Sequence, residues 1–155
     1  MQKRATISAC GRYRWNLSRF WSEGRKATFV LLNPSTADAK IDDPTLRRCI
    51  KFAQREQCGE LTVVNLFGLR ATDPKELLTA SDPVGKENDA HVCQALKQAD
   101  LIICGWGANP LAKKRADKFL ASNSNAELWC LGKSQSGAPK HPLYLKSEAP
   151  LIKFP

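Results

Sequence analysis

The stretch ATFVLLNPS, residues 27–35, decides the fold class of this chain. It begins as an apolar, β-prone run, and Asn33-Pro34 then favours a turn. Further apolar runs follow at 61–64, 100–104 and 127–131, separated by helical stretches near 43–57, 84–99 and 110–121. Strands that alternate with helices form parallel βαβ units, and nearly continuous apolar strands are buried on both faces. The pattern predicts an α/β protein, a three-layer α/β/α sandwich with a mainly parallel sheet.

The residues before this stretch predict a strand of a different kind. Residues 12–21 alternate between apolar and polar side chains, with Arg19 as an exception on the apolar side. Period-two alternation indicates a strand that is half buried. Because the turn-like segment 22–26 comes next, we expect an N-terminal antiparallel hairpin that adds a basic edge strand to the sheet.

Local sequence signals predict the start and the end of one helix and the number of domains. Asp43-Pro44 is typical of a helix start, with a capping carboxylate followed by proline at the first helical position, and Gly59 is typical of the stop. No internal repeat, low-complexity segment or linker divides the sequence. We therefore expect residues 1–155 to form a single domain.

Composition excludes several classes of protein. With 155 residues and 43% hydrophobic residues the chain can bury a core of its own. It has no apolar run of the roughly 18 residues that a membrane span needs, and it begins without the apolar stretch of a signal peptide. The six cysteines are scattered and form no CxxC pair, so we expect free thiols, no metal and no cofactor. We expect a cytoplasmic monomer.

The formal net charge of +9 is unevenly distributed. Residues 1–26 contain seven Lys and Arg side chains but a single carboxylate, Glu23. Such a block attracts nucleic acid without sequence preference, whereas a merely soluble basic surface has the same composition. Composition leaves both interpretations open.

Four short signatures follow one another along the chain: Leu32-Asn33-Pro34-Ser35, Val63-Val64-Asn65-Leu66, Gly105-Trp106-Gly107 and His141-Pro142-Leu143. Three of them come directly after apolar, β-prone runs. Open α/β sheets bind their ligands where parallel strands end, because the loops there converge on one crevice. The order of the signatures predicts one composite active site.

These signatures resemble the motif series of the uracil-DNA glycosylase superfamily. Over longer stretches the chain also resembles a bacterial and phage family known as domain of unknown function 1643. The second resemblance is carried by 31–38, by Asp42-Asp43-Pro44-Thr45-Leu46-Arg47-Arg48 and by 141–145. The glycosylase resemblance implies a four-stranded parallel sheet between helices and an enzyme that flips a base out of DNA.

The glycosylase resemblance also implies roles for three residues. Asn33 takes the place of the residue that positions the attacking water; an amide is no general base, but it can orient water beside a sugar that leaves as a cation. Asn65 matches the amide that reads the Watson–Crick edge of the flipped base. His141 matches the histidine that donates to the base oxygen on which negative charge grows.

The chain departs from the superfamily pattern at two positions. Ser35 stands where uracil-specific members carry an aromatic guard, which widens the predicted pocket. Tyr144 follows Leu143 in place of the usual wedge loop, and its ring can still wedge into a duplex or stack on a base.

Further candidates come from the residue types near these signatures. Asp38 is the carboxylate that can supply the base that Asn33 lacks, and Trp106 is a candidate for base binding or for core packing. The predicted phosphate contacts are Arg47, Arg70, Lys113 and Lys140. Asn33-Pro34 as a simple turn, Asn65 as a structural clamp and the lysines as a solvated helix face are the structural alternatives.

Three functions fit the sequence. The first is a DNA glycosylase-like hydrolase that cleaves the N-glycosidic bond of a damaged or modified base, acting on duplex or single-stranded DNA. The second is an enzyme that processes a free nucleotide or nucleoside with the same pocket. The third is a non-catalytic nucleic-acid-binding module on the same scaffold, because fold alone does not dictate function.

Overall fold

A computed structural model describes all residues from Met1 to Pro155. Its strands are β1 (Gln2–Ile7), β2 (Arg14–Phe20), β3 (Arg25–Leu31), β4 (Cys58–Asn65), β5 (Leu101–Cys104), β6 (Leu128–Cys130) and β7 (Ile152–Phe154). Its helices are α1 (Pro44–Arg55), α2 (Glu76–Thr79), α3 (Asn88–Gln98) and α4 (Lys113–Ser122). Two short 3₁₀ turns, Pro110–Ala112 and Pro142–Tyr144, complete the regular structure.

All seven strands belong to one mixed sheet in the order β1-β2-β4-β3-β5-β6-β7. The four central strands β4, β3, β5 and β6 run parallel to one another. The outer strands β1, β2 and β7 are antiparallel to their neighbours. The α/β class is thus confirmed, and the sheet is three strands wider than the four apolar runs suggested.

The expected hairpin between β2 and β3 is not formed. β3 lies at the centre of the sheet, where the parallel strands β4 and β5 occupy both of its edges. β2 instead pairs antiparallel with the free edge of β4, with Leu17 opposite Val63. The antiparallel hairpin of this protein joins β1 to β2, and β1 is the basic edge strand.

Helices cover both faces of the sheet and bury two separate cores. On one face α1 packs Leu46, Ile50 and Phe52 onto the central strands. On the other face α3 and α4 contribute Ala95 and Phe119 to a second cluster. Burying a large apolar side chain stabilises a fold by about 1.5–3 kcal/mol, so each face contributes substantially. This layering leaves the loops at the carboxyl ends of the parallel strands free to form a site.

The start of α1 follows the predicted capping pattern. Asp43 Oδ1 accepts a hydrogen bond from Leu46 N at 2.8 Å, and Pro44 occupies the first turn. The capping bond fixes the entry of α1 and therefore the position of Asp43.

None of the helices combines the length and the apolar character that crossing a membrane requires.

Candidate functional site

A cleft of about 750 Å³ opens at the carboxyl ends of the parallel strands. The loops that follow β3 and β5 form two of its walls, and the segment around the 3₁₀ turn Pro142–Tyr144 forms another. Open α/β sheets bind ligands at this edge, and the volume lies in the range of pockets that hold small molecules. The cleft is therefore the candidate site.

The cleft brings together about half of the residues singled out from the sequence. Those that line it are Asn33, Ser35, Trp106, Lys140, His141 and Tyr144. Those that do not are Asp38, Asn65, Arg47, Arg70 and Lys113. Three of the four signatures thus meet in one cleft, and the signature of β4 reaches it through Val63.

One of the two ring nitrogens of His141 is occupied by a hydrogen bond from the main chain. Its Nδ1 accepts a hydrogen bond from Leu143 N at 3.2 Å, so the neutral ring carries its proton on Nε2. Burial lowers the pKa of His141, and the Asp43 carboxylate partly opposes this effect. At neutral pH the ring is therefore an uncharged donor in the wall of the cleft.

Asn33 is anchored through the amide end of its side chain. Nδ2 donates to the main-chain oxygens of Ala71 at 2.8 Å and Pro34 at 3.1 Å. The two bonds join the end of β3 to the segment after β4 and leave Oδ1 as an acceptor for a ligand or water. They also explain an amide at this position, because a carboxylate would set negative oxygens against both carbonyls.

The carboxylate of the cleft is Asp43, not Asp38. Asp38 Oδ1 accepts hydrogen bonds from Lys40 N and Ile41 N, both at 2.8 Å, which closes a local turn outside the cleft and lowers the pKa of this carboxyl. Asp43 is the single acidic residue in the lining. The structure thus places Asp38, which we expected to be catalytic, outside the cleft, because its Oδ1 closes this turn.

Asn65 is 1% exposed, and neither Nδ2 nor Oδ1 has a hydrogen-bond partner. The residue borders a smaller cavity of about 240 Å³ beside α3 and α4. On β4 it comes two residues after Val63, so both side chains lie on the same face of the sheet. It also pairs with Leu31 of β3, and both Val63 and Leu31 line the cleft. Its carboxamide therefore lies on the cleft side of the sheet, beneath the lining.

The indole of Trp106 belongs to the core. Only 4% of the residue is exposed, and its ring packs edge-on against Phe119 and Phe154 with centroids 5.6 Å apart in both pairs. The residue lines the cleft, but its indole is buried between these two aromatic rings. This packing favours the core interpretation of Trp106 over the expectation that it binds a base.

The rim of the cleft carries the exposed candidates. Tyr144 is 84% exposed, with its ring centroid 5.7 Å from that of His141. Lys140 is exposed beside it, and Ser35 is half-buried in the opposite loop. An aromatic ring and a cation at a rim can contact a polynucleotide without entering the cleft.

The remaining predicted phosphate contacts lie elsewhere and are partly occupied. Arg47 Nη1 donates to Asp42 O at 2.8 Å, and Arg70 Nε donates to Ser35 O at 3.3 Å. Lys113 forms an exposed ion pair with Asp117, of a kind worth about 0–1 kcal/mol. Arg47 and Arg70 brace loops in this structure.

Two buried arginines of β2 escaped the sequence analysis as site residues. Arg14 Nη1 donates to Ala37 O at 2.9 Å, and Arg19 Nη2 donates to Asp38 O at 2.6 Å. Arg19 Nε also bonds Asp42 Oδ1 at 2.9 Å. Together they hold the loop between β3 and α1. Arg19 on the apolar side of an alternating strand was the signal that could have identified them.

Because these arginines are buried, the basic block of residues 1–26 exposes only part of its positive charge. Of the seven cations in residues 1–26, Arg14 and Arg19 are buried and Lys3 pairs with Asp42 at 3.3 Å. The block therefore offers fewer charges to a polyanion than its composition suggests.

The cysteines are all free, four of them buried and two exposed. Burial raises the pKa of Cys49 and of Cys104 well above the ordinary range, which makes both thiols unreactive in the fold.

Comparison with known proteins gives one match. The family model described as Protein of unknown function (DUF1643) matches residues 14–143. No curated protein and no solved structure matches the chain. The matched range runs from Arg14 on β2 to Leu143 beside His141, so it includes nearly all of the cleft.

Proposed function

We propose that this chain, which belongs to the DUF1643 family, is a DNA glycosylase-like enzyme that hydrolyses the N-glycosidic bond of a flipped damaged or modified base. The observation that carries the proposal is the pairing of a neutral His141 donor and the free Oδ1 of Asn33 in one cleft at the carboxyl ends of parallel strands. The parallel strands at the centre of the sheet place this cleft where open α/β sheets bind their ligands, which also supports an active site there.

In this mechanism His141 acts on the leaving group. As the glycosidic bond breaks, the electron pair of that bond moves onto the base, and negative charge grows on a carbonyl oxygen of the base. The Nε2–H of His141 donates to that oxygen, and the donor is already oriented because Leu143 N holds Nδ1. Removing one such donor typically costs about 10²–10³ in rate.

Asn33 and Asp43 act on the sugar side. Asn33 Oδ1 orients the water that attacks the sugar carbon, and the Asp43 carboxylate offsets the positive charge of the oxocarbenium-like transition state. Both oxygens of Asp43 accept main-chain hydrogen bonds, from Leu46 N and Ala37 N. The departed base anion takes up the proton that the attacking water releases. Because Asn33 is an amide and not a general base, the chemistry is expected to be slower than with a carboxylate at this position.

Contacts to the polynucleotide come from the rim. Tyr144 fills the space that the flipped base vacates or stacks on its neighbour, and Lys140 contacts a phosphate. Asn65, whose carboxamide lacks any partner beneath the cleft, reads the base edge after a shift of the lining.

The experiment is base release from DNA. Oligonucleotides that contain uracil, hypoxanthine or phage-type modified pyrimidines are incubated with the protein, and the free base is detected by mass spectrometry. His141→Ala is expected to lose release by about 10²–10³-fold.

His91→Ala is the matched control. Its ring stacks on Trp15, and its Nδ1 bonds Asn16 Nδ2 at 3.1 Å, outside the cleft. Equal release by native protein and both variants would refute the role of His141. DNA binding without release from any protein would favour the non-catalytic binding module, and turnover of monomers alone would favour the nucleotide-processing enzyme.

A further inference from the structure

Two buried arginines lie on the same strand, β2, but their hydrogen bonding differs. Arg19, 0% exposed, donates through all three nitrogens, among them Nε to Asp42 Oδ1 at 2.9 Å and Nη1 to Ser18 O at 2.8 Å. Arg14, 4% exposed, donates from Nη1 to Ala37 O at 2.9 Å, and its Nε has no partner at all. Arg19 is a saturated structural clamp, whereas Arg14 is not.

Arg14 also lacks a counterion. It forms none of the ion pairs of the molecule, although Arg19 pairs with Asp42 on the same strand. Burial lowers the pKa of Arg14 to about 10, against an opposing effect of the nearby Asp43 carboxylate. A buried charge without a partner is destabilising unless something else compensates it, so the position is costly to retain for packing alone.

The side chain lies in the wall of the cleft, which Arg19 does not reach. The first turn of the twelve-residue helix α1 borders the same space through Pro44 and Thr45, with the positive end of its dipole toward the cleft. Asp43 sits at this end as well, but its two oxygens accept main-chain N–H groups of Ala37 and Leu46, and it forms no ion pair with Arg14.

We propose that Arg14 is the oxyanion-binding residue of the cleft and that the ligand carries a compact anionic group, a phosphate or a carboxylate, which its guanidinium receives. The proposal rests on the proposed function and narrows its substrate class, since an unmodified neutral base offers no anion. The anion is either a carboxyl group on the modified base or the terminal phosphate of a nucleotide. A guanidinium binds both groups well, because its N–H donors can pair with two of their oxygens at once.

Nitrogen-15 NMR observes the unpartnered atom directly. The Nε–H resonance of Arg14 is assigned by its absence in Arg14→Lys, and the native protein is titrated with inorganic phosphate. Deoxyuridine, deoxyuridine monophosphate and a deoxyuridine that carries a carboxyl group on its base form the next arms. We expect the resonance to shift with phosphate and with at least one anionic nucleoside, and to stay in place with deoxyuridine. The anionic nucleoside that binds tighter identifies the source of the anion.

Two variants distinguish anion binding at Arg14 from attraction by the overall positive charge of the protein. Arg14→Gln is expected to weaken anion binding at least about tenfold, because a charge-assisted hydrogen bond is lost. Arg12→Gln removes one exposed charge from the same end of β2 and is expected to leave binding unchanged. Binding that is equally strong in Arg14→Gln, or an Arg14 resonance that no anion moves, would overturn the proposal.

The native titration does not use Arg14→Gln, so an unstable Arg14→Gln leaves the test intact. If Arg14→Lys is unstable as well, the Nε–H resonance is assigned from triple-resonance spectra of the native protein. His141→Ala keeps the arginine and is expected to bind anions like the native protein even where base release is lost. A failure of catalysis is therefore distinguishable from a failure of anion binding.

Discussion

The bonds of Asn33 predict that its replacement by aspartate destabilises the fold. In the native protein Nδ2 donates to Ala71 O at 2.8 Å and to Pro34 O at 3.1 Å. Asn33→Asp keeps the size of the side chain, removes both donated bonds and places a charged oxygen against the two carbonyls. The substitution introduces a carboxylate at a position where the glycosylase resemblance allows either aspartate or asparagine, so its outcome shows whether this scaffold accepts aspartate.

The expected loss is about 2–4 kcal/mol. Each hydrogen bond contributes about 0.5–1.5 kcal/mol, and the half-buried carboxylate that faces two acceptors adds a desolvation and repulsion cost of similar size. Against a typical total stability of about 5–15 kcal/mol, such a loss is measurable without unfolding the protein.

Urea unfolding at neutral pH, followed by the fluorescence of the four tryptophans, measures this loss. Asn109→Asp is the matched control, because Asn109 lines the same cleft but uses Oδ1 as an acceptor from Leu111 N at 3.0 Å. The control keeps its bond and is expected to change stability by less than about 0.5 kcal/mol. An Asn33→Asp protein as stable as the native one would show that the Nδ2 bonds contribute little, and the reasoning on Asn33 would fail.

Further predictions concern the loop, the histidine, the rim and the thiols. Arg19→Met is expected to cost about 3–5 kcal/mol in urea unfolding, since it leaves several main-chain carbonyls without their donor and Asp42 with Lys3 alone; a cost below about 1 kcal/mol would contradict the clamp. Because burial lowers the pKa of His141, the unfolded chain binds its proton first as pH falls below about 6.5, so stability drops there, and His141→Ala should lose less over the same range. Tyr144→Ala is expected to leave the melting temperature unchanged and to slow release from duplex more than from single-stranded DNA; equal slowing would exclude a wedge. With a thiol reagent, Cys10 and Cys93 should react in the native state and the other cysteines only after denaturation, with Cys10 fastest because its hydrogen bond from Ser8 lowers its pKa.

The central part of the fold was predictable from the sequence, because its signals are local. The apolar runs mark the four parallel strands, and the capping pattern at Asp43-Pro44 marks the start of α1. Two of the outer strands, β1 and β7, gave no such signal. β1 reads QKRATI and is largely exposed, and β7 has three residues, so neither shows the apolar alternation of a half-buried strand.

Pairing is a non-local property, and here the sequence analysis was wrong. A turn between two strands favours a hairpin, but β3 is a central strand and both of its edges are taken by parallel partners. β2 therefore pairs with β4, which places Arg14 and Arg19 beside the loop that follows β3.

The site was predictable where it depends on strand ends and not where it depends on loop conformation. Asn33 and Trp106 reach one cleft because β3 and β5 end at the same edge of the sheet, whereas His141 reaches it through the long segment after β6. Asp43 lines the cleft and Asp38 does not, because Asp38 accepts hydrogen bonds from Lys40 N and Ile41 N in a local turn. Spacing along the chain carries no information on which of two neighbouring aspartates a turn consumes.

The central claim is that the cleft hydrolyses an N-glycosidic bond, and its most direct test is a stoichiometry. Under single-turnover conditions with a modified-base oligonucleotide, free base and abasic sites are counted in the same sample. Hydrolysis predicts equal amounts of both from the native protein and a rate about 10²–10³ lower with His141→Ala. Neither product from any oligonucleotide of the panel, although the DNA is bound, would contradict the claim.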